Sequence, residues 1–204
     1  LDPVHTLPPD LPVPVDDGAC DHLVGARVPS LRLASTEGRT VDLAEVAERP
    51  AVFFLYPRTG EPGKPAGPDW NAIPGARGCT PQSCGFRDLH GEFTRLGVAV
   101  FGISTQDTGY QGEFVRHNHI PFELLSDRDL ALTRALRLPT FEYPVARGGP
   151  TTLIKRMAWY AERGRIEKVW YPVFPPDRNA ATVLEWLRER AHVLRGGRGE
   201  ARLA

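Results

Sequence analysis

The chain has 204 residues, 41% of them hydrophobic, enough for one domain of ordinary size whose apolar core needs no disulfide framework. Its 25 basic and 25 acidic side chains cancel, so there is no electrostatic footprint for nucleic acid or an anionic membrane. No apolar run approaches the roughly 20 residues of a membrane span. Three cysteines, one necessarily unpaired within the chain, suit a reducing, cytoplasmic setting better than a stapled secreted scaffold.

Residues 1–20 carry Pro3, Pro8, Pro9, Pro12 and Pro14, and show no basic-then-apolar signal pattern. So many fixed φ angles and missing donors predict an extended, polyproline-II-like arm. Asp16-Asp17-Gly18 reads as a turn, and Cys20 follows on no periodic element. The domain proper is expected over 21–195, with a frayed tail over 196–204.

Leu31–Ala34 and Thr40–Leu43 flank a Gly-containing loop, which predicts an N-terminal β-hairpin. Ala44–Glu48 reads as one helical turn. Ala51–Tyr56 is a continuous apolar run ended by Pro57, as expected of a strand buried on both faces. Residues 58–78 are rich in Gly and Pro, and a loop of that length inside a domain is usually functional. Trp70 and Ile73 are its candidate anchors over a pocket.

A helix is predicted from about Thr80 to Leu96, with Thr80 as cap, Pro81 in the first turn, and Phe86, Leu89, Phe93 and Leu96 as one apolar stripe. Gly97 ends it. Val98–Ile103 is the second central strand, with Ser104-Thr105 at the edge where open α/β sheets place ligands. A helix over Tyr110–His117, a strand over Phe122–Leu125 and a helix from Ser126-Asp127 to Leu136 follow. Val145–Pro150 reads as a connection. Thr151–Tyr160 and Ile166–Val173 form a second hairpin, and Asp177 caps a last helix. The order predicts an α/β fold with a mixed central β-sheet flanked by helices.

The chemistry concentrates at Gly78-Cys79-Thr80-Pro81-Gln82-Ser83-Cys84. A cysteine at a helix start meets free backbone N–H groups and the positive end of the helix dipole, which makes Cys79 a candidate nucleophile. Cys84 is its candidate partner. On an intact helix, positions five apart differ by about 140° around the axis and have Cα atoms about 8–9 Å apart, beyond disulfide reach. A disulfide between them requires the first turn to unwind. A transient one, made after oxidation of Cys79 to a sulfenic acid, is chemically consistent. Inert buried thiols, zinc ligation by Cys79, Cys84 and His90, and a dithiol oxidoreductase are the competing readings of the residues.

The chain resembles the peroxiredoxins, and within them the bacterioferritin-comigratory or Q subgroup. The resemblance rests on Gly78-Cys79-Thr80-x-Gln82-x-Cys84-x-Phe86-Arg87-Asp88, the strand ending Tyr56-Pro57, Gly102–Thr105, Pro121–Asp127 and Arg156 on a late strand. It implies a thioredoxin-like fold and a thioredoxin-dependent peroxidase of the atypical 2-Cys type, acting on hydrogen peroxide or organic hydroperoxides without a cofactor or metal. It further implies Cys79 as the peroxidatic cysteine and Cys84 as the resolving one, joined in an intramolecular disulfide that thioredoxin or a similar dithiol resets. Arg156 would stabilise thiolate and peroxide, Tyr56, Pro57 and Gln82 would border the substrate, and the protein would be a monomer.

One departure stands out. The family motif Pro-x-x-x-Thr/Ser-x-x-Cys places a peroxide-binding hydroxyl three residues before the cysteine, and Ala76 occupies that position here. Pro57 lies 22 residues before Cys79, 15 more than the motif spacing. Thr59, Thr80 and a backbone amide are the candidates to replace the hydroxyl. The same departure motivates a second reading, a redox sensor or binding module of this fold with little turnover.

Overall fold

The computed structural model describes residues 6–60, 66–144 and 149–200, with side chains described as far as Val193. Predictions that fall on 1–5, 61–65, 145–148 and 201–204 lie outside the described residues. Seven strands form one mixed sheet in the order β2-β1-β5-β4-β3-β8-β9. These strands are β1 (Arg32–Ser35), β2 (Thr40–Asp42), β3 (Ala51–Leu55), β4 (Ala99–Ser104), β5 (Leu124–Ser126), β8 (Met157–Glu162) and β9 (Arg165–Trp170). The pairs β3–β4 and β4–β5 are parallel; the flanking pairs β1–β2, β1–β5, β3–β8 and β8–β9 are antiparallel.

Strand β3 organises both layers because side chains alternate along it. Phe53 and Leu55 enter one core, with Phe101, Ile103, Met157, Trp159 and Leu132. Val52, Phe54 and Tyr56 enter the other, with Cys79, Phe86, Phe93, Phe114, Val183 and Leu184. The unbroken apolar run of β3 is thus explained by helices or chain on both faces. The second layer holds α3 (Cys79–Asp88), α4 (His90–Arg95), α5 (Thr108–Asn118) and the last helix α7 (Asn179–Glu200). Phe86 stacks on Phe54 with ring centroids 4.5 Å apart, which fixes α3 against the sheet. Burying a ring of this size contributes about 2 kcal/mol.

Several predicted elements shift. The single helix from Thr80 to Leu96 is two helices, because Leu89 leaves helical geometry and Glu92 N–H closes a tighter bond on Leu89 O at 2.9 Å. Both halves still bury their aromatics, Phe86 and Phe93. The cap is Gly78 rather than Thr80. Its φ of +112° is a glycine conformation, and a Cβ there would stand 2.3 Å from Pro176 Cγ. Cys79 therefore begins the helix. The last helix continues through Gly196 to Glu200, past the expected break.

The expected strand Thr151–Tyr160 is split. Thr152–Ile154 (β7) pairs with Thr140–Glu142 (β6) in a separate two-stranded sheet, while β8 starts at Met157. Lys155 and Arg156 form the junction, so Arg156 stands between two strands rather than within one. Helix α2 (Pro68–Asn71) brings Trp70 edge-on against Tyr143, with ring centroids 4.9 Å apart. Arg58 lies over both rings, and the Tyr143 hydroxyl donates to Asp69 at 3.1 Å. Trp70 therefore anchors the 58–78 loop onto the small sheet. No helix among the described residues is long and apolar enough to cross a membrane.

Candidate active site

Two loops and two helix starts converge on Cys79. The 58–78 loop delivers Gly75 and Ala76, the junction before β8 delivers Arg156, α3 delivers Cys79 and Gln82, and α7 delivers Asn179. Arg156 is 3% exposed, so its charge needs partners inside the protein. It donates from Nε to Gly75 O (3.2 Å), from Nη1 to Gln82 Oε1 (2.5 Å), and from Nη2 to Ala76 O (2.9 Å) and Cys79 Sγ (3.2 Å). Among the described residues no carboxylate forms an ion pair with it. Besides the Gln82 amide oxygen, the side-chain atom it reaches is the Cys79 sulfur.

Cys79 is buried at the first position of α3, where helical N–H groups have no intrahelical acceptor. Its Sγ also lies 3.7 Å from Ala76 O. The first turn is closed by Gln82 N–H donating to Gly78 O (3.0 Å) and by the Ser83 hydroxyl donating to Cys79 O (2.9 Å). Gln82 is fully buried and both ends of its amide are used: Oε1 accepts from Arg156, and Nε2 donates to Asn179 Oδ1 at 3.0 Å. Gln82 thus holds the arginine.

Tyr56 and Pro57 are buried at the end of β3. Burial raises the Tyr56 phenol well above its ordinary value, and its hydroxyl lies near Ser104 and Gln111. The hydroxyl is buried and closes no hydrogen bond among the described residues. Of the candidate replacements for the motif hydroxyl, Thr59 is engaged elsewhere: its hydroxyl donates to Gln106 Oε1 at 3.2 Å, and its carbonyl accepts from Gln106 and Tyr110. Thr80 is buried beside Cys79 in the first turn. Ala76 contributes its carbonyl where the motif has a hydroxyl.

Cys84 shares α3 with Cys79, which fulfils the condition under which a disulfide needs the first turn to open. Its Sγ lies 4.0 Å from Asn118 Oδ1. Burial raises the Cys84 thiol, with Arg87 opposing. Cys20 is buried with its Sγ 3.9 Å from Met157 Sδ, and burial pushes its thiol up to about 12. No disulfide joins any of the three cysteines. A thiol raised by folding keeps its proton longer in the native state, so these two groups cost stability as pH rises through the ordinary thiol range. In reduced Cys79→Ser protein, iodoacetamide is expected to label Cys84 slowly at pH 7 and still faster beyond that range, with Cys20 slower throughout. Labelling of either at free-thiol rates at pH 7, read by mass spectrometry, would contradict the burial.

The approach to Arg156 is a cleft of about 210 Å³ walled by Pro14, Val15, Ile73, Phe141, Tyr171 and Val173. The proline-rich arm forms one wall and is pinned by Asp17, which accepts from Lys155 (3.1 Å) and Tyr171 (2.9 Å). Among the described residues no group of three or more His, Cys, Asp or Glu is placed to hold a metal ion. The sequence carries no local signal that Asn179, Asn118 or the two loop carbonyls belong to the site. Asn179 lies 97 positions from Gln82, and an asparagine at a helix start reads simply as a cap.

The Redoxin family profile matches residues 23–184. The chain is 27% identical over 164 residues to the chloroplastic peroxiredoxin Q of Oryza sativa subsp. japonica, covering 80% of this chain and 66% of the relative, just under two thirds of its length. It is 26% identical over 164 residues to chloroplastic peroxiredoxin Q of Sedum lineare, covering 80% and 77%. Among solved structures, peroxidoxin BcpB of Mycobacterium tuberculosis superposes with a TM-score of 0.65 at 24% identity, over 81% of this chain and 96% of that one. Peroxiredoxin Q of Xanthomonas campestris does so with a TM-score of 0.62 at 23% identity, over 89% and 99%. These likenesses establish the thioredoxin-like fold, and the family profile, spanning most of the chain, establishes that the protein belongs to the Redoxin family.

Proposed function

We propose that the protein is a thiol-dependent peroxidase of the peroxiredoxin Q type. The observation that carries this reading is the buried guanidinium of Arg156 held 3.2 Å from Cys79 Sγ at the start of α3. The peroxiredoxin Q relatives support it. The Cys79 thiolate attacks the terminal oxygen of R–O–O–H, so that an S–O bond forms as the O–O bond breaks. Sulfur is oxidised to sulfenic acid, and the leaving alkoxide, or hydroxide from hydrogen peroxide, takes a proton to depart as alcohol or water. Arg156 is fixed in advance by its carbonyl and amide partners, so its charge meets the transition state without reorganisation.

Cys84 then attacks the sulfenic sulfur, forming the S–S bond and releasing water. Because both cysteines lie on α3, this step unwinds the first turn, breaking the bonds that Gln82 and Ser83 make there. An external dithiol, thioredoxin or a similar protein, restores both thiols by exchange. A cytoplasmic, monomeric peroxidase is the simplest form of this reading. With one equivalent of peroxide, wild-type protein should lose both thiols and gain an intramolecular Cys79–Cys84 disulfide by peptide mapping. Cys84→Ser should give one fast turnover and stop at sulfenic acid. A wild-type protein still fully reduced after that equivalent would sink the reading.

A specific observation also favours the sensor alternative: Ala76 offers a carbonyl and no hydroxyl to the peroxide. A Cys79 oxidation rate no faster than that of a free thiol, with a partner protein captured on Cys79, would select it over the enzyme.

A further inference from the structure

Arg156 must present one particular edge to the sulfur, and what sets that edge lies two residues away. Its Nη1 is oriented by Gln82 Oε1. A glutamine amide, however, has two ends of nearly equal shape and opposite polarity. Turned around, Gln82 would place an NH₂ against the guanidinium, donor against donor, and push it away from Cys79. The side chain is completely buried, so water does not decide between the two orientations. Arg156, which only donates, asks for the oxygen, and the group that holds the other end is Asn179, 4% exposed, whose Oδ1 accepts from Gln82 Nε2 at 3.0 Å.

We propose that Asn179 is a positioning residue of the peroxidatic site, locking the Gln82 amide so that its oxygen faces Arg156 and the guanidinium stays on Cys79 Sγ. The chain of buried contacts is Asn179 Oδ1, Gln82 Nε2, Gln82 Oε1, Arg156 Nη1, then Nη2 and Cys79 Sγ. Every side chain in it is at least nine-tenths buried. A buried acceptor removed from such a chain leaves the facing donor unsatisfied, at a cost of about 1–3 kcal/mol. With that acceptor gone Nε2 is no longer held, and as the amide shifts to find another acceptor it draws Oε1 off Arg156 Nη1, which is what disarms the guanidinium. Asn179 stands at the first residue of α7, directly after the 3-10 turn Pro176–Arg178 that packs Pro176 on Gly78. The same corner of the fold therefore holds both the start of α3 and the amide that aims its arginine.

The inference rests on the peroxidase reading, and its test separates the two. Asn179→Leu is expected to lower the second-order rate of Cys79 with hydrogen peroxide about tenfold, with the rate–pH profile displaced to higher pH. Asn179→Asp keeps an acceptor and should stay within about threefold of wild type. In a Gln82→Glu background, where either carboxylate oxygen accepts from Arg156, Asn179→Leu should change the rate less than twofold. Equal losses in both backgrounds, or no loss in Asn179→Leu, would overturn the proposal.

A measurement on the unmodified protein covers the case in which Asn179→Leu does not fold. The Gln82 side-chain amide protons should exchange slowly with solvent and give NMR cross-peaks to Asn179. Cross-peaks to the Arg156 guanidinium protons instead would overturn the proposal. A wild-type protein inert to peroxide would count against the peroxidase and leave this orientation readable by NMR.

Discussion

Replacing Cys79 with serine is expected to bring peroxide consumption down to that of buffer and reductant alone, while Cys20→Ser leaves it within about twofold of wild type. The difference follows from two sulfurs in opposite settings. Cys79 sits at a helix start, 3.2 Å from a guanidinium that has no carboxylate partner among the described residues. Cys20 sits in the apolar core against Met157, where burial pushes its thiol up to about 12, so almost none of it is anionic at neutral pH. Only the thiolate is nucleophilic. A serine at position 79 keeps the size of the side chain but its hydroxyl remains protonated beside Arg156, so no anion attacks the O–O bond. The assay is peroxide loss coupled to a dithiol reductant, with circular dichroism and thermal melting to show that both variants fold. Residual turnover in Cys79→Ser would place the chemistry on another residue and remove the basis for every step derived from α3.

Much of this arrangement could be read in the sequence, and the part that could not has a physical reason. The strand Ala51–Tyr56 and the Gly78–Cys84 segment announced themselves because their signals are local: an unbroken apolar run, and two thiols beside Gly, Pro and capping residues. The central sheet, its N-terminal hairpin and the helix ended by Gly97 came from the same kind of short-range pattern. Arg156 reads as interior to a strand because Thr151–Tyr160 reads as continuous β. The break arises from competition between partners, Thr152–Ile154 pairing with Thr140–Glu142 and Met157 onward pairing with β3 and β9. That choice depends on contacts distant in sequence.

The Gln82–Asn179 bond is invisible for a similar reason, since its ends are 97 residues apart and each has an ordinary local explanation. Trp70 and Ile73 read as anchors of the 58–78 loop over a pocket; Ile73 lines the cleft beside Arg156, whereas Trp70 packs on Tyr143 away from it. The seat of Trp70 against Tyr143 and Phe141, beneath Arg58, depends on a two-stranded sheet whose strand Thr140–Glu142 is too short to leave a local pattern.

Arg156→Met should lower the second-order rate with hydrogen peroxide about 10²–10³-fold, the usual cost of losing one preorganised donor at a developing charge. Methionine matches the length of the arginine stem, so the variant tests the guanidinium rather than the volume. The loss has two sources. On the peroxidase reading, the sulfur at position 79 loses the cation beside it, and the departing oxygen loses a fixed donor. Gly75 O, Ala76 O and Gln82 Oε1 would each lose a hydrogen bond as well, so a lower melting temperature is expected and must be measured beside the rate. Arg156→Lys separates charge from geometry. Lysine keeps the positive charge but, as a compact ammonium, does not span the four acceptors that the planar guanidinium reaches together. An intermediate rate for Arg156→Lys would mean that charge and fork geometry both act. A lysine variant as slow as the methionine one would place the whole effect in the geometry that Gln82 and the two carbonyls impose. A methionine variant that folds and reacts at the wild-type rate would show that the helix start alone activates Cys79, and the role of Arg156 would then be to hold the Gly75-Ala76 loop in place.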